Sequence, residues 1–295
     1  MQGVVSAMAT FKDFRNDVKP NWCPGCGDFS VQAAIQRAAA NLGLEPHELA
    51  VISGIGCSGR ISGYIHSYGF HGTHGRVLPL AQGVKMANRD LTVIAAGGDG
   101  DGFAIGMGHT VHAIRRNIDI TYIVMDNQIY GLTKGQTSPR SAAGFQTKST
   151  PHGSIEPALS PLEIALSAGA TFVAQGFSSD LKELTSLIEE GVKHKGFALI
   201  NVFSPCVTYN KVNTYEWFKE RLIKVSDIEG YDPSDREMAM QTVMKYDGLV
   251  TGIIYQNKEQ KSYQELVPGY SEAPLAEAEL KMSKEKFAEL VAEFM

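Results

Sequence analysis

Short apolar runs that alternate with helical patterns constrain the fold of this chain more than any other feature. The runs occupy residues 50–53, 91–96, 119–125, 170–174 and 197–203. Their apolar residues are nearly continuous rather than alternating, which is typical of strands buried on both faces of a parallel sheet. The sequence therefore predicts an α/β fold with a doubly wound, mostly parallel sheet.

Helical patterns fill the intervals between these runs, as a doubly wound sheet requires. We expect helices at 29–42, 102–116, 162–168 and 181–193, and a further helix at 284–294. In the first of them, Ile35, Ala38 and Leu42 recur at helical spacing, and Gly43 suits a C-terminal stop.

Two stretches depart from this alternation. Residues 130–160 are rich in Gly, Ser, Thr and Pro and lack clear periodicity, which favours a functional loop. Residues 207–295 are more charged and end in the last predicted helix. We therefore divide the chain into an N-terminal segment (1–20), a main domain (21–206) and a C-terminal extension (207–295) that covers part of the main domain.

Composition excludes several classes of protein. A formal net charge of −5 disfavours nucleic acid or an anionic membrane surface as the main partner. No apolar run approaches the roughly 20 residues of a membrane-spanning helix, and the first residues lack the pattern of a signal peptide. We expect a cytoplasmic protein, in which cysteines indicate metal or redox chemistry before disulfides.

Glycine-rich and polar residues directly follow several of the predicted strands. In an open α/β sheet the carboxyl ends of the strands share one edge, where ligands bind. Asp99, between Gly98 and Gly100, and Asn127 supply a carboxylate and an amide oxygen, which suit Mg²⁺ shared with a diphosphate. The glycines let the backbone approach that diphosphate closely. The alternative is two ordinary turns, but the combination favours a Mg²⁺–diphosphate site.

All four cysteines of the chain suit one common site. Cys23 and Cys26 form a CxxC pair, Cys57 follows the first predicted strand, and Cys206 follows the last. Four thiolates can hold a [4Fe–4S] cluster or a structural zinc. A structural zinc usually takes its ligands from two close pairs, which this spacing does not offer, so the cluster is favoured. A zinc site, or buried cysteines without metal, is the alternative.

Arg60 and two histidines add candidate ligand contacts. Arg60 lies three residues after Cys57 in a glycine-rich stretch, where it could grip a carboxylate with two hydrogen bonds or be an ordinary solvated arginine. For His71 and His74 a phosphate contact is favoured over metal ligation, because no third ligand is evident. The stretch GIGCSG (54–59) matches a dinucleotide-binding pattern, but no acidic residue follows about 20 residues on, so we discount it.

Five motifs together resemble one known family. They are WCPGCG (22–27), GIGCS (54–58), HGTHGR (71–76), GDGD (98–101) and NQIYGLTKGQ (127–136). The sequence resembles the β subunit of 2-oxoacid:ferredoxin oxidoreductases over roughly residues 11–215, including Cys206. The nearest class by general likeness is 2-oxoglutarate:ferredoxin oxidoreductase, also called 2-oxoglutarate synthase. One departure is Asp126, where thiamine enzymes often carry a second Asn.

The resemblance implies a role for each matching residue. Mg²⁺ would be held by Asp99, Asn127 and the backbone carbonyl of Ile129, and the [4Fe–4S] cluster by Cys23, Cys26, Cys57 and Cys206. Arg60 would meet the substrate carboxylate, and we assign Arg60 and His74 as the catalytic candidates. The residues expected to contact thiamine diphosphate are Ile55, Gly56, Cys57, Ser58, His74, Gly98, Asp99, Gly100, Asp101, Gly131 and Leu132.

The resemblance also implies a reaction and partners. A 2-oxoacid would be decarboxylated, its electrons would pass through the cluster to ferredoxin, and coenzyme A would accept the acyl group. An α subunit would supply the glutamate that activates the cofactor, in an αβ or (αβ)₂ complex. The open alternatives are the same chemistry on pyruvate or branched 2-oxoacids, a non-redox thiamine enzyme subunit, and a zinc-stabilised assembly subunit.

Overall fold

One sheet organises the chain. The computed structural model describes residues 9–268, 274–278 and 281–295, and within these its strands, in chain order, are β1 Leu49–Ser53, β2 Tyr68–His71, β3 Thr92–Gly98, β4 Ile120–Asp126, β5 Phe172–Phe177, β6 Phe197–Phe203, β7 Ile223–Lys224 and β8 Val250–Gln256. They lie side by side in the order β2-β1-β3-β4-β6-β5-β8-β7. Every neighbouring pair is parallel except β5 and β8. The predicted doubly wound, mostly parallel sheet is therefore confirmed.

Helices cover both faces of the sheet. Within the described residues the helices are α1 Asp28–Asn41, α2 Val77–Ala87, α3 Met107–Arg116, α4 Pro161–Ser167, α5 Leu181–Lys193, α6 Tyr215–Lys219, α7 Arg236–Lys245, α8 Tyr263–Leu266 and α9 Lys284–Ala292. Helices α1 and α5 pack on one face, and α2, α3, α4 and α7 pack on the other. No helix of the described residues is long and apolar enough to cross a membrane.

The core lies in two layers because successive side chains of each strand point to opposite faces. In β1, Ala50 and Ile52 belong to the layer under α2, whereas Leu49 and Val51 belong to the layer under α1. All five residues of β1 are buried, as in a strand covered on both sides. Burying one such aliphatic side chain stabilises the fold by about 1.5–3 kcal/mol, so the continuous apolar runs direct these strands to the centre of the sheet.

The expected central elements agree with the structure to within a few residues, but the strands at the edges of the sheet were not predicted. Strand β2, of sequence YGFH, is exposed along its length and has no apolar run to reveal it. The expected helix at 102–116 is a π-helical turn, Asp101–Ile105, followed by α3. The backbone is crowded there, since a Cβ on Gly102 would lie 2.2 Å from the Tyr122 hydroxyl.

The chain beyond residue 206 contributes to the same sheet. Strand β8 pairs antiparallel with β5, and α7 packs on the same face as α4. The stretch between β4 and α4 contains no helix or strand within residues 127–160, all of which are described. The boundary at residue 206 and the separate N-terminal segment stay predictions.

Candidate functional site

A pocket opens where β1, β3 and β4 end. Its volume is about 640 Å³ including the open mouth. Because these strands are parallel neighbours, the residues that follow them meet at one edge of the sheet. The residues that line it are Ile55, Gly56, Cys57, Ser58, His74, Gly98, Asp99, Gly100, Asp101, Asn127, Ile129, Tyr130, Gly131, Leu132 and Thr133. The structure thus brings together every residue expected at the cofactor, together with Tyr130 and Thr133.

Asp99 is a buried carboxylate at the floor of this pocket, with 1% of its surface exposed. Ser138 Oγ donates a hydrogen bond to its Oδ2 at 2.5 Å. Burial, and then the charge of nearby Asp126, raises the pKa of Asp99 to about 8. A carboxylate that is costly to ionise in the bare protein becomes favourable when a cation sits beside it. This environment therefore fits a divalent metal ion.

Asp126 lies at the end of β4, close enough to Asp99 for its charge to raise the pKa of Asp99. It is fully buried, and its Oδ2 accepts hydrogen bonds from Arg140 Nε at 2.8 Å and Asn201 Nδ2 at 3.2 Å. One arginine thus faces two buried carboxyl groups, so ionising both would leave a negative charge that a bound cation could balance. The predicted magnesium ligands also include Asn127, whose Oδ1 accepts a hydrogen bond from Ile129 N at 3.1 Å. Both residues line the pocket with Asp99.

The magnesium set consists mainly of amide and carbonyl oxygens. Among the described residues, no three His, Cys, Asp or Glu side chains are grouped so that they could hold a metal ion. The predicted set includes only one side chain of these types, Asp99, and Mg²⁺ commonly completes its octahedron with phosphate oxygens and water. The residues present are consistent with Mg²⁺ bound together with a diphosphate.

Asp101 holds His74 in place. The carboxylate is buried, and its Oδ1 accepts hydrogen bonds from Ile55 N at 3.0 Å, His74 Nδ1 at 2.7 Å and Gly75 N at 2.8 Å. About a third of the His74 side chain is exposed, on the pocket side. In the neutral ring this bond places the proton on Nδ1 and leaves Nε2 as an acceptor. The sequence had indicated both residues as cofactor contacts, but not that one orients the other.

At two positions of this site only glycine fits, because neighbouring atoms lie too close to the backbone for a side chain. A Cβ on Gly100 would lie 2.1 Å from Cε1 of Tyr130, whose hydroxyl donates to the Gly100 carbonyl at 3.2 Å. A Cβ on Gly54 would lie 2.0 Å from Oδ2 of Asp101. Any larger residue would displace a rigid ring or a buried carboxylate, so these positions exclude side chains for reasons of space.

Two of the four cysteines lie beside the same pocket. Cys57 and Cys206 are both close to Gly131, since a Cβ there would lie 3.6 Å and 3.5 Å from their sulfurs. Cys26 N donates to the Cys23 carbonyl at 2.9 Å, which closes the CxxC turn. The following residue, Gly27, donates through its N–H to the Pro205 carbonyl at 3.5 Å. The cysteines are free thiols rather than disulfides.

Burial raises the pKa of the Cys57 thiol to about 12 and that of the Cys26 thiol further, and Asp28 and the neighbouring cysteines add to the effect. Thiols in such surroundings stay protonated in the bare protein, whereas a bound metal deprotonates them. Cys206 is buried and Cys23 is exposed. Four thiols suit an iron–sulfur cluster by their chemistry, but no three of them are grouped as ligands of one metal ion in the described chain. The cluster therefore stays a prediction.

Arg60 and His71 lie outside the residues that line the pocket. Arg60 is exposed on the 3₁₀ turn Ser58–Gly63, two residues after the pocket-lining Ser58. His71 ends the exposed strand β2. The role of Arg60 toward the substrate carboxylate stays a prediction.

Sequence reasoning missed the residues that support the site from the loop after β4. Ser138 and Arg140 bind the two buried carboxylates, and Ser141 Oγ donates to the Gln128 carbonyl at 2.7 Å. The only signal in the sequence was the length and polarity of the stretch 130–160, which indicated a functional loop without naming these residues.

Comparison with known proteins identifies the family. The family described as thiamine pyrophosphate enzyme, C-terminal TPP binding domain, matches residues 54–202, and the family described as the C terminal of the pyruvate ferredoxin oxidoreductase beta subunit matches residues 206–272. The 2-oxoacid:ferredoxin oxidoreductase 2, subunit beta, of Aeropyrum pernix is 41% identical over 289 residues, covering 93% of this chain and 94% of the relative. The chain belongs to the 2-oxoacid:ferredoxin oxidoreductase β-subunit family.

Two further likenesses concern 2-oxoglutarate enzymes. The 2-oxoglutarate synthase subunit KorB of Methanocaldococcus jannaschii is 42% identical over 199 residues, covering 67% of this chain and 74% of the relative. The solved 2-oxoglutarate:ferredoxin oxidoreductase from Magnetococcus marinus, with 2-oxoglutarate, coenzyme A and succinyl-CoA bound, matches with a TM-score of 0.87 and 39% identity over 96% of both chains. These findings confirm the expected family, the α/β fold and the oxidoreductase class. Membership of a β-subunit family implies an α partner.

Proposed function

We propose that this β subunit serves a coenzyme A-dependent 2-oxoglutarate:ferredoxin oxidoreductase, binding Mg²⁺ and thiamine diphosphate in the pocket and one [4Fe–4S] cluster through its four cysteines. The observation that carries the proposal is that Cys57 lines the same pocket as Asp99 and Asn127. A cofactor that releases electrons and a cluster that accepts them would then be neighbours.

The overall reaction is 2-oxoglutarate, coenzyme A and two oxidised ferredoxins giving succinyl-CoA, CO₂, two reduced ferredoxins and a proton, and it is reversible. Thiamine diphosphate, when bound, supplies the electron sink for the decarboxylation. The choice of 2-oxoglutarate is supported by the names of the KorB relative and of the solved structure. Pyruvate is the second candidate, supported by the description of the family that matches residues 206–272.

The residues of the chain would bind and orient the reactants. Asp99, Asn127 and the Ile129 carbonyl hold Mg²⁺, and the glycine backbone beside them admits the diphosphate. His74, oriented by Asp101, presents Nε2 to the pocket, where it can accept a hydrogen bond. The guanidinium of Arg60, which is exposed near the pocket in sequence, would bind the substrate carboxylate.

The α subunit would complete the site. No glutamate lies among the residues that line the pocket in the described chain, although thiamine enzymes use a carboxylate against the aminopyrimidine ring. We expect the α subunit to supply it in an αβ or (αβ)₂ complex. The complex would be cytoplasmic, because a reducing compartment keeps the four thiols available.

The test uses the complex co-expressed with its α subunit and purified without oxygen. Viologen reduction with coenzyme A is compared for 2-oxoglutarate, pyruvate and branched 2-oxoacids, alongside iron and acid-labile sulfide content. Preference for 2-oxoglutarate with about four irons per αβ unit supports the whole proposal. Preference for another 2-oxoacid corrects only the substrate. Zinc in place of iron, or decarboxylation without viologen reduction, refutes it.

Single variants separate the two cofactor sites. Cys206→Ser should lose iron and sulfide but keep thiamine diphosphate binding, whereas Asp99→Ala should lose metal-dependent thiamine diphosphate binding but keep iron. Asp227→Ala is a matched control, because Asp227 is exposed on the 3₁₀ turn Val225–Asp227 and does not line the pocket. Removing Mg²⁺ with a chelator should mimic Asp99→Ala.

A further inference from the structure

A groove with basic and apolar walls lies beside the exposed end of the cysteine cluster. It has a volume of about 1050 Å³ including its open mouth. Its wall residues include Arg15, Val18, Lys19 and Phe29. The side chains of Val18 and Phe29 are 54% and 38% exposed, so they add apolar surface to the groove.

The groove is connected to the cysteines through aromatic packing. Phe29 packs edge-on against Trp22, with ring centroids 5.2 Å apart. Trp22 Nε1 donates to the Cys57 carbonyl at 2.7 Å. Cys23 follows Trp22 directly and is the exposed cysteine of the set. The groove therefore borders the part of the cysteine site that reaches the surface.

The four cysteines face in two directions. Cys57 lines the cofactor pocket, and Cys206 lies beside Gly131 of the same pocket. Cys23, in contrast, is exposed, and it directly follows Trp22, which packs against Phe29 of the groove wall. A cluster held between them would receive electrons on the pocket side and give them up on the groove side.

The charge of the groove favours an acidic partner. Lys12, Arg15, Lys19 and Arg37 lie on or next to its walls, against Asp13 and Asp17. Neither Arg15 nor Lys19 forms an ion pair with another described residue. Asp13 Oδ2 accepts from Thr10 N and Oγ1 at 2.7 Å and keeps its negative charge. Four cations and two anions give these six side chains a net charge of +2. Two cations are thus left available to an incoming protein.

Hydrogen bonds to the rest of the chain fix the segment that forms one wall of the groove. Gln36 Nε2 donates to the Phe14 carbonyl at 2.9 Å, and His66 N donates to the same carbonyl at 2.9 Å. Asn16 Nδ2 donates to the Gly63 carbonyl at 3.0 Å. A preformed surface loses little conformational entropy when a partner binds.

We propose that this groove, centred on Arg15, Lys19 and Phe29, is the docking surface for the acidic ferredoxin that removes electrons from the complex. The inference rests on the proposed function, because it requires a cluster at the four cysteines. Oxidation of one 2-oxoacid releases two electrons, and each ferredoxin accepts one, so two ferredoxins dock in succession per turnover. Basic residues steer the acidic carrier, and the apolar walls let its cluster approach Cys23 closely.

The test compares variants of the anaerobically purified αβ complex, with a recombinant bacterial ferredoxin of net negative charge as the probe. In R15E/K19E we expect KM for ferredoxin to rise at least about tenfold and its dependence on salt to weaken, because long-range steering is lost. Reduction of viologen, which needs no docking surface, should stay within about twofold. Binding to immobilised ferredoxin without 2-oxoacid should weaken in parallel, which gives a readout independent of turnover.

The matched control is K258E/K261E, which makes the same change in charge at the opposite edge of the sheet. Asn117 Nδ2 donates to the Lys261 carbonyl at 3.1 Å. Asn117 lies just before β4 begins, at the edge of the sheet opposite the one where the parallel strands end. R15K/K19R keeps both charges and should keep wild-type affinity. A variant that altered folding would lose viologen reduction as well and would be recognised by that.

Three outcomes would overturn the proposal. They are an unchanged ferredoxin affinity in R15E/K19E, an equal loss in K258E/K261E, and dissociation or altered mass of the complex in R15E/K19E. The last would show that another subunit or a second copy of this chain covers the groove. Failure of the proposed function is distinct, because the wild-type complex would then lack iron or viologen reduction while its binding to ferredoxin could still be compared among the variants.

Discussion

Replacing Asp101 by Asn tests how the pocket is held together. The carboxylate is fully buried, and one of its oxygens accepts three hydrogen bonds, from two backbone N–H groups and from His74 Nδ1. A hydrogen bond to a charged group contributes about 1.5–3 kcal/mol and a neutral one about 0.5–1.5 kcal/mol. An Asn that keeps all three bonds therefore loses about 1 kcal/mol for each of them.

The second oxygen changes little. Oδ2 of Asp101 is buried and has no hydrogen-bond partner among the described residues, so the wild-type protein already carries an unpartnered buried atom there. An Asn NH₂ group at the same place would be unpartnered too. If the amide turned over instead, its NH₂ group would face three donors, which is worse. We expect Asp101→Asn to lower the free energy of unfolding by about 3 kcal/mol in all.

The assay is urea denaturation of the isolated chain, followed by circular dichroism, together with thiamine diphosphate affinity of the αβ complex. Affinity should fall with stability, because Ile55 and His74 both line the pocket. Asp235→Asn is the control. Asp235 caps α7 by accepting from Glu237 N at 2.9 Å and Met238 N at 3.0 Å, and Asn caps a helix equally well. A loss under about 1 kcal/mol in Asp101→Asn, with unchanged cofactor affinity, would refute the reasoning.

Three further predictions concern space, charge and pH. Gly100→Ala should weaken thiamine diphosphate binding at least about tenfold by calorimetry, because its Cβ would lie 2.1 Å from the Tyr130 ring. Arg140→Ala should lower the free energy of unfolding by about 3–5 kcal/mol in urea, since it removes the cation from fully buried Asp126. Burial lowers the pKa of His194 to about 4, so stability should fall by up to about 3 kcal/mol as pH drops from about 6.5 to 4.

The controls for these three follow from the same contacts. Gly108→Ala should be nearly neutral, because nothing lies within 4 Å of its Cβ position. Arg140→Lys keeps the charge and should lose less than Arg140→Ala. The sign for His194 follows from its neutral native form: the unfolded chain gains a proton below about 6.5 and the folded protein resists it. In His194→Gln the urea midpoint should therefore change less between pH 7 and pH 4.5 than it does in the wild-type protein. An equal change in both proteins would contradict the lowered pKa of His194.

The sequence by itself determined the centre of the fold and the chemical character of the sheet edge where the parallel strands end. Strands β3, β4 and β6 were visible because burial on both faces demands continuous apolar residues, which leaves a local signal. Parallel strands place their carboxyl ends at one edge, so Asp99 and Asn127 could be expected to meet. Cys57 and Cys206 could be assigned to the same edge for the same reason.

Only the tertiary structure decided which side chains complete the site at that edge. Ser138 and Arg140 reach the buried carboxylates from an irregular loop, and Asp101 orients His74 across 27 positions of sequence. Such contacts depend on the path of the backbone between elements, which no periodicity encodes. The groove at Arg15 and Lys19 arises in the same way, since a basic segment becomes a surface beside Cys23 only when the chain packs against its own core.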